Sequence, residues 1–226
     1  MVFEDRQEAG RLLARLVATE QGLEDAVVLG LARGGVPVAY EIARACQLSL
    51  DVLVVRKLGV PGTEELAMGA IAGGKVVLNP DVLKEFKVSE EMLEHVLQRE
   101  RAELERREMV DRKDRPAAPI DGRAVILVDD GLATGATMRA AVQAVNGRAR
   151  RVVVAIPVGT RGTCRQLEHK GVRVLCSHMP EDFHAVGIYY RDFRPTSDHE
   201  VRILLHKAQQ VTDSAAKGNT DRSPIS

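Results

Sequence analysis

Short apolar segments alternate with helical patterns along most of the chain. Segments of strand length, apolar at nearly every position, occur at 26–31, 51–56, 124–130 and 151–158. A helix with Pro37 near its first turn is predicted after the first segment, and another over about 138–145 after the third. Because strand, helix and strand at this spacing form right-handed parallel crossovers, the pattern predicts an α/β fold: a Rossmann-like, doubly wound, mainly parallel sheet flanked by helices.

Two further patterns predict additions to this sheet. Apolar residues at helical spacing over 3–20 predict an opening amphipathic helix that packs on the sheet. Its polar positions, which we assign to solvent, are Arg6, Arg11 and Arg15. The stretch 68–80 predicts a hairpin that turns on Gly73 and Gly74.

The same patterns predict one domain over 1–208. Within it, 89–110 is a predicted helical insertion, mostly solvated, that lies across one edge of the sheet. The aromatic-rich stretch 179–205 is a candidate hood over the sheet edge. The polar stretch 209–226 is predicted to be a disordered tail.

Composition and charge narrow the class of protein. The chain has 226 residues, enough for one sizeable core, and its 32 basic residues balance 32 acidic residues. The zero net charge gives no general attraction for nucleic acid, and the apolar runs are too short to span a bilayer. The acidic start lacks the features of a signal peptide, so we expect a cytoplasmic protein. Cys46, Cys164 and Cys176 show no C-x-x-C spacing, which favours reduced thiols over a disulfide or a zinc site.

The most informative motif is VILVDDGLATGAT, which spans 125–137. Asp129 and Asp130 follow a buried strand, at the sheet edge where parallel α/β proteins bind ligands. The small residues after them allow successive main-chain N–H groups to converge on one ligand, and the next helix adds its positive end. The motif therefore predicts a phosphate site beside two carboxylates, which suits a phosphorylated sugar with vicinal hydroxyls. A phospho-acceptor site, a metal site and a plain turn are the alternatives.

This motif resembles the phosphoribosyl-diphosphate-binding motif of the type I phosphoribosyltransferases, through its apolar lead-in, acid pair and T-G-x-T loop. The resemblance implies that Asp129 and Asp130 hold the ribose hydroxyls. It also implies that the 5-phosphate is bound by the loop residues Ala133, Thr134, Gly135, Ala136 and Thr137. The segments RKLGVPGTEELAMGA and AVGIYYRDF are similar to those of a bacterial branch of the family, whose substrate the resemblance does not supply.

A second loop, LARGGVP, follows the first predicted strand. By itself this segment indicates a tight turn. The resemblance implies that Arg33, Gly34 and Gly35 bind pyrophosphate, in a loop that often contains a non-proline cis peptide. An arginine guanidinium and close-approaching glycines suit that role.

The segment after the second strand supplies further candidates. Lys57 is placed to reach the diphosphate, whereas Arg56 has two equal interpretations, a functional group or a salt bridge at the sheet edge. The region 59–62, with Pro61, resembles a mobile flap that would exclude water during transfer.

The resemblance implies an enzyme of nucleotide metabolism, a pentosyltransferase. It would transfer ribose 5-phosphate from phosphoribosyl diphosphate to a nitrogen nucleophile and release pyrophosphate, with Asp129, Asp130 and Lys57 as catalytic residues. Mg²⁺ is the implied cofactor, bound mainly through ligand oxygens and waters, with no dedicated protein metal site. The implied partners are small molecules, without nucleic acid or membrane, and a homodimer is compatible with the sequence.

The acceptor is less well defined. Oxopurine enzymes of the family carry an acid where this chain has Ala133, so a base other than an oxopurine is favoured. The candidates for stacking on that base are Phe183, Tyr189 and Tyr190. Because AVGIYY also fits a buried strand, core packing is the better interpretation for any single aromatic residue. The histidines His178, His184 and His199 match no standard metal spacing.

A regulator that senses phosphoribosyl diphosphate or a nucleotide without turnover is the main alternative, because a binding motif indicates binding before it indicates catalysis. Against a DNA-binding regulator, the sequence contains no recognisable helix-turn-helix appendage and no unbalanced basic stripe.

Overall fold

Eight strands form two sheets in the computed structural model, which describes residues 2–112 and 115–220. The strands are β1 (Val27–Leu31), β2 (Ser49–Leu53), β3 (Val55–Val60), β4 (Thr63–Ala72), β5 (Lys75–Leu78), β6 (Ala124–Val128), β7 (Arg151–Val158) and β8 (Arg173–His178). Five of them form a parallel sheet in the order β2-β1-β6-β7-β8. The strand order reverses between β1 and β6, so this sheet has a switch point where ligands commonly bind.

Seven helices flank the sheets within 2–112 and 115–220. They are α1 (Arg6–Ala18), α2 (Gly35–Cys46), α3 (Pro80–Glu85), α4 (Glu90–Arg112), α5 (Ala136–Val145), α6 (Arg161–Glu168) and α7 (Asp198–Thr220). Leu13, Ile42 and Leu205 bury α1, α2 and α7 against one face of the parallel sheet. Met138 and Leu167 bury α5 and α6 against the opposite face. The predicted doubly wound α/β fold is therefore confirmed, with a core on each side of the sheet.

The second sheet is antiparallel, in the order β3-β4-β5, and helix α4 covers it. Leu58 and Met68 from the strands are fully buried, together with Val96, Leu97 and Leu104 from α4. The predicted hairpin turn at 73–74 joins β4 to β5. Helix α4 thus has a packing surface of its own, and it forms a small core with this sheet in addition to lying beside α7.

Two predicted elements differ from the structure. The apolar run 51–56 is divided at Val54, so its first part lies in the parallel sheet and its second part begins the antiparallel sheet. The segment 185–190 contains a 3-10 turn, Val186–Tyr189, where a buried strand was one interpretation. Both runs are apolar because they are buried, and apolar character alone does not distinguish a strand from a compact turn.

The last helix extends into the stretch predicted as a tail. Because α7 continues to Thr220, the chain is helical over 209–220, and the remaining residues 221–226 lie outside the described part of the chain. Alanine and lysine in this stretch favour a helix. None of the helices in the described part of the chain has both the length and the apolar character needed to cross a bilayer.

We predict that Glu100→Ala destabilises the packing of α4 on the antiparallel sheet. The buried Glu100 carboxylate accepts hydrogen bonds from Arg56 Nε at 2.9 Å and Nη2 at 2.6 Å. Loss of this pair should cost about 1–2 kcal/mol, which lowers the Tm by about 2–8 °C for a domain of this size. Thermal denaturation measures the effect. The exposed Glu105 on the same helix is the matched control, and Glu105→Ala should change stability by less than about 0.5 kcal/mol. Equal Tm values for the two variants would contradict the assignment.

Candidate functional site

The loops that follow β1 and β6 meet at the switch point of the parallel sheet. Asp129 and Asp130 come directly after β6, and Gly34 and Gly35 come after β1. A Cβ atom at Gly34 would clash with the Asp130 carboxylate, and one at Gly35 would clash with the main-chain carbonyl of Val128. Both glycines are therefore required by the close approach of the two loops.

The loop after the acid pair is held by its carbonyl groups. The Thr163 hydroxyl donates to the Ala133 carbonyl at 2.8 Å, and Arg139 Nη1 donates to the Thr134 carbonyl at 2.8 Å. Gly135, with φ of +73°, turns the chain into α5. These contacts fix the loop from one side.

The N–H groups of the same loop remain for a ligand. Leu132 uses its main chain on β7 and α6, donating to Val158 O and accepting from Thr160 N. By contrast, none of the main-chain N–H groups of residues 133–137 donates a hydrogen bond to another residue within 2–112 and 115–220. Such groups at the start of a helix are suited to binding an anion, because they combine free donors with the positive end of the helix dipole.

Asp130 is held by residues from both ends of the chain. Arg6 Nε donates to Asp130 Oδ2 at 2.9 Å, and Arg6 Nη2 lies 2.8 Å from the same oxygen in an ion pair. The Tyr190 hydroxyl donates to the main-chain carbonyl of Asp130 at 2.6 Å. Asp129 is held locally, because its Oδ1 accepts from the N–H of Asp130 at 2.9 Å. The predicted solvent position of Arg6 is wrong: its side chain is only 11% exposed.

The acid pair is electrostatically strained. Burial raises the pKa of Asp129 well above its usual range, and the neighbouring charge of Asp130 raises this pKa further. Burial also raises the pKa of Asp130, while the Arg6 guanidinium opposes that rise. Burial beside these acids raises the pKa of the Tyr190 hydroxyl, so it stays a hydrogen-bond donor at neutral pH. Keeping two buried carboxylates beside one cation costs folding free energy, and such an arrangement is typical of a functional site.

Lys57 lies at the antiparallel sheet, across a cleft from the start of α5. The cleft has a volume of about 480 Å³, and its walls include Lys57, Ala136, Thr137 and Arg139. The lysine is exposed and comes from β3. The structure thus brings one predicted cation to the same cleft as two predicted phosphate-binding residues.

The two predicted arginines are both in ion pairs. Arg56 pairs with Glu100 of α4, which is the salt-bridge alternative for this residue. Arg33 is exposed and pairs with Asp198 at the start of α7, at 3.2 Å. The peptide bond between Ala32 and Arg33 is cis, as the resemblance implies for a pyrophosphate loop.

The predicted base-stacking aromatics lie in an aromatic cluster with Phe3 and Phe193. Tyr189 and Tyr190 are buried, and their rings stack on Phe183 and Phe193 with centroids 5.6 and 5.1 Å apart. This favours core packing over base stacking for both tyrosines. Phe183 is half-buried at the edge of the cluster. Across the described ranges, no group of three or more His, Cys, Asp or Glu residues is placed to hold a metal ion.

Three residues of the site gave no signal in the sequence. Arg6, Arg139 and Thr163 contact the acid pair or its loop, yet Arg6 is 124 residues from Asp130 and Thr163 is 30 residues from Ala133. Each is a common residue type on a helix surface. For Arg6 alone, one local feature could have drawn attention to it: this residue directly follows Asp5, which caps α1.

Comparison with known proteins identifies the family. The model of the phosphoribosyl transferase domain family matches residues 4–193, and this chain belongs to that family. The name of the family describes phosphoribosyl transfer, which is the chemistry of a pentosyltransferase. The predicted family is thereby confirmed.

Relatives in bacteria support this assignment. A protein of Mycobacterium tuberculosis strain H37Rv, named "putative phosphoribosyl transferase", is 44% identical over 222 residues, which cover 97% of this chain and 49% of the relative. The chain therefore spans about half the length of such curated relatives. The crystal structure of TT1426 from Thermus thermophilus is similar, with 45% identity and a TM-score of 0.81 over 92% of this chain and 99% of that chain. A Streptomyces coelicolor protein named "bifunctional protein PyrR" is 31% identical over 54% of this chain and 60% of its own length.

We predict that Asp129→Asn stabilises the protein at neutral and alkaline pH. A carboxyl group whose pKa is raised on folding contributes its full stability below its ordinary pKa of 3.8 and loses it as the pH rises through the raised value. Asparagine removes that loss and can still accept from the N–H of Asp130. The Tm at pH 8 should rise by about 2–4 °C for each kcal/mol recovered, and the gain should shrink as the pH falls toward 4.

The matched control for this measurement is Asp121→Asn. Asp121 is 68% exposed, and the Arg148 guanidinium holds its pKa below the usual value, so the sign is opposite and the Tm should not rise. A rise for Asp129→Asn that is the same at every pH would show that the charge is not its cause.

Proposed function

We propose that this chain transfers ribose 5-phosphate from phosphoribosyl diphosphate to a nitrogen nucleophile, with Mg²⁺, and releases pyrophosphate. One observation carries the proposal: five main-chain N–H groups without protein acceptors among the described residues lie next to an acid pair at the switch point of the sheet. This arrangement suits a ligand that carries a phosphate and vicinal hydroxyls a few ångströms apart. Phosphoribosyl diphosphate has both groups.

In this proposal the loop over 133–137 binds the 5-phosphate. The main-chain N–H groups donate to its oxygens, and the hydroxyls of Thr134 and Thr137, both exposed, add two further donors. Arg139 keeps its contact to the loop carbonyl and adds positive charge beside the cleft.

The acid pair binds the ribose hydroxyls and favours the transition state. One carboxylate oxygen of each aspartate already accepts a hydrogen bond from the protein, Oδ1 of Asp129 and Oδ2 of Asp130. The second oxygen of each is left for a hydroxyl. As the bond to the leaving group lengthens, positive charge develops on the ribose ring, and two nearby carboxylates stabilise it.

The departing diphosphate requires positive charge on the other side of the ribose. Lys57 and the loop of Arg33, Gly34 and Gly35 are proposed to supply it, with the β3–β4 hairpin tip at 59–62 closing over the reaction. On ligand binding, Arg33 would break its ion pair with Asp198 and pair with the diphosphate instead. Because the Arg33–Asp198 pair is exposed, breaking it costs little free energy.

The site fits a magnesium ion that arrives with the substrate. Mg²⁺ prefers oxygen ligands and retains waters, and the carboxylate oxygens of Asp129 and Asp130 are partly engaged already. We therefore propose binding mainly through diphosphate oxygens and waters. When bound, the ion would neutralise charge on the leaving group.

The acceptor is proposed to be a base other than an oxopurine. Ala133 is exposed in the loop and offers no acid to an attacking nitrogen. The half-buried Phe183 is the remaining stacking candidate of the hood. A cytoplasmic location and a homodimer stay predictions from the sequence.

A regulatory protein that binds the same ligand without turnover is the second candidate. It is favoured by one contact, the pairing of Arg33 with Asp198, which occupies the guanidinium assigned to the leaving group. The two functions share the ribose 5-phosphate site and differ only in the release of pyrophosphate.

The decisive experiment incubates the protein with phosphoribosyl diphosphate, Mg²⁺ and a panel of purine, pyrimidine and pyridine bases. We expect pyrophosphate release with at least one base that is not an oxopurine, and loss of that release in Lys57→Met with little change in ligand affinity. Binding without release on any acceptor would favour the regulator. No binding at all would contradict both.

We predict that Asp129→Asn combined with Asp130→Asn weakens binding of Mg²⁺–phosphoribosyl diphosphate while the fold is retained. Each lost charge-assisted hydrogen bond should reduce affinity by about 10–100-fold. Isothermal titration calorimetry measures affinity, and circular dichroism checks the fold. Asp121→Asn should bind as the wild type does, because Asp121 is exposed and precedes β6, whereas the acid pair follows that strand. Unchanged affinity in the double variant would refute the role of the acids.

We also predict that Gly135→Ala weakens binding of the 5-phosphate. Gly135 has φ of +73°, and an added Cβ would clash with Thr163 Cγ2, so the loop must shift. Gly147→Ala is a matched control, because Gly147 has φ of +79° but no atom within 4 Å of an added Cβ. Both variants should lose similar stability from the backbone conformation, about 1–2 kcal/mol. Calorimetry with ribose 5-phosphate should show reduced affinity only for Gly135→Ala.

A further inference from the structure

We propose that Arg6 is a positioning residue for this reaction: it fixes the Asp130 carboxylate so that one oxygen remains directed to the ribose. The inference rests on the proposed function. It assigns a role in the site to a residue of the first helix, which belongs to neither the acid motif nor the pyrophosphate loop.

The Arg6 guanidinium is fixed by contacts from several elements. Its Nε donates to Asp130 Oδ2 at 2.9 Å, its Nη2 lies 2.8 Å from the same oxygen, and its Nη1 donates to the Arg194 carbonyl at 2.8 Å. The guanidinium carbon lies 4.0 Å from the centroid of the Phe193 ring. A planar guanidinium held in this way has little freedom to reorient, so the Asp130 carboxylate that it contacts is also held in one orientation.

This geometry divides the two oxygens of Asp130 between the protein and a ligand. Both Arg6 nitrogens contact Oδ2, and no described residue donates to Oδ1. The rotation of the carboxylate is therefore set by Arg6, and Oδ1 is the oxygen left for a hydroxyl. Without Arg6, either oxygen could turn toward the ribose, and the site would lose its preorganisation.

Arg6 also supplies the positive charge that a second buried acid requires. The titratable groups that face Asp130 are Asp129 from the same loop, Arg6 from α1 and Tyr190 directly after the 3-10 turn, with the Asp192–Arg194 ion pair beyond Arg6. Among these groups, Arg6 is the cation that donates a hydrogen bond to the Asp130 carboxylate. Its charge and hydrogen bonds oppose the effect of burial on the pKa of Asp130, so its removal should shift ionisation of Asp130 to higher pH.

The test compares Arg6→Met and Arg6→Lys with the wild type. Calorimetry measures the affinity for Mg²⁺–phosphoribosyl diphosphate between pH 5.5 and 9, and carbon-13 NMR follows the Asp130 carboxyl in the ligand-free protein. Arg6→Met should lose about 10–100-fold in affinity at pH 6 and recover part of it as the pH rises, with the Asp130 titration moved to higher pH. Arg6→Lys retains the charge but not the paired donors, so its titration should stay near that of the wild type while its affinity is intermediate.

Arg11→Met is the matched control, since Arg11 is exposed on the same helix and should bind and titrate as the wild type. An equal loss of affinity at every pH with an unchanged Asp130 titration would show a merely structural role and overturn the inference. If Arg6→Met fails to fold, Arg6→Lys decides, because wild-type affinity in that variant would refute a need for the paired donors. A wild-type protein that does not bind the probe would instead refute the proposed function, while the ligand-free titration would still report the effect of Arg6 on Asp130.

Discussion

The contact between the loops after β1 and β6 is the constraint on which the site depends. The space in which a side chain at Gly34 would lie is filled by the Asp130 carboxylate, and the main chain of β6 blocks a side chain at Gly35. This approach is available only where neighbouring parallel strands carry their connections away in opposite directions, as β1 and β6 do. The strand order thus creates the crevice, and the glycines allow the two main chains to approach each other closely there.

The charges in this crevice oppose stability. Two neighbouring aspartates are largely removed from water, and a single guanidinium balances them. Such an arrangement costs free energy that the two apolar layers of the sheet must offset. This cost is recovered only if a ligand supplies further partners for the two carboxylates. Ribose hydroxyls with a nearby magnesium ion would be such partners. The same carboxylates therefore connect the stability of the protein to its proposed activity.

The antiparallel sheet provides the second wall of the cleft. Arg56 and Lys57 are adjacent in β3 and both line the cleft, but their proposed roles differ. Arg56 anchors β3 to α4 through Glu100, whereas Lys57 lies with the start of α5 at the cleft. Helix α4 consequently has a structural purpose that its weak apolar stripe did not reveal: it holds the strand that carries the proposed catalytic lysine.

The sequence by itself determined the layered α/β fold, the acid pair at the end of β6 and the small-residue loop after it, because each is encoded by neighbouring residues. Apolar periodicity identified β1, β6 and β7, and a local motif identified Asp129 to Thr137. The division of 51–56 between two sheets was decided by tertiary structure, as was the 3-10 turn at Val186–Tyr189, since burial makes either segment apolar in any conformation. The same is true of Arg6, which occupies a polar helix position that looks solvated until Asp130, 124 residues away, is packed against it. Contacts of that separation depend on the folded arrangement of the strands, and no local pattern records them.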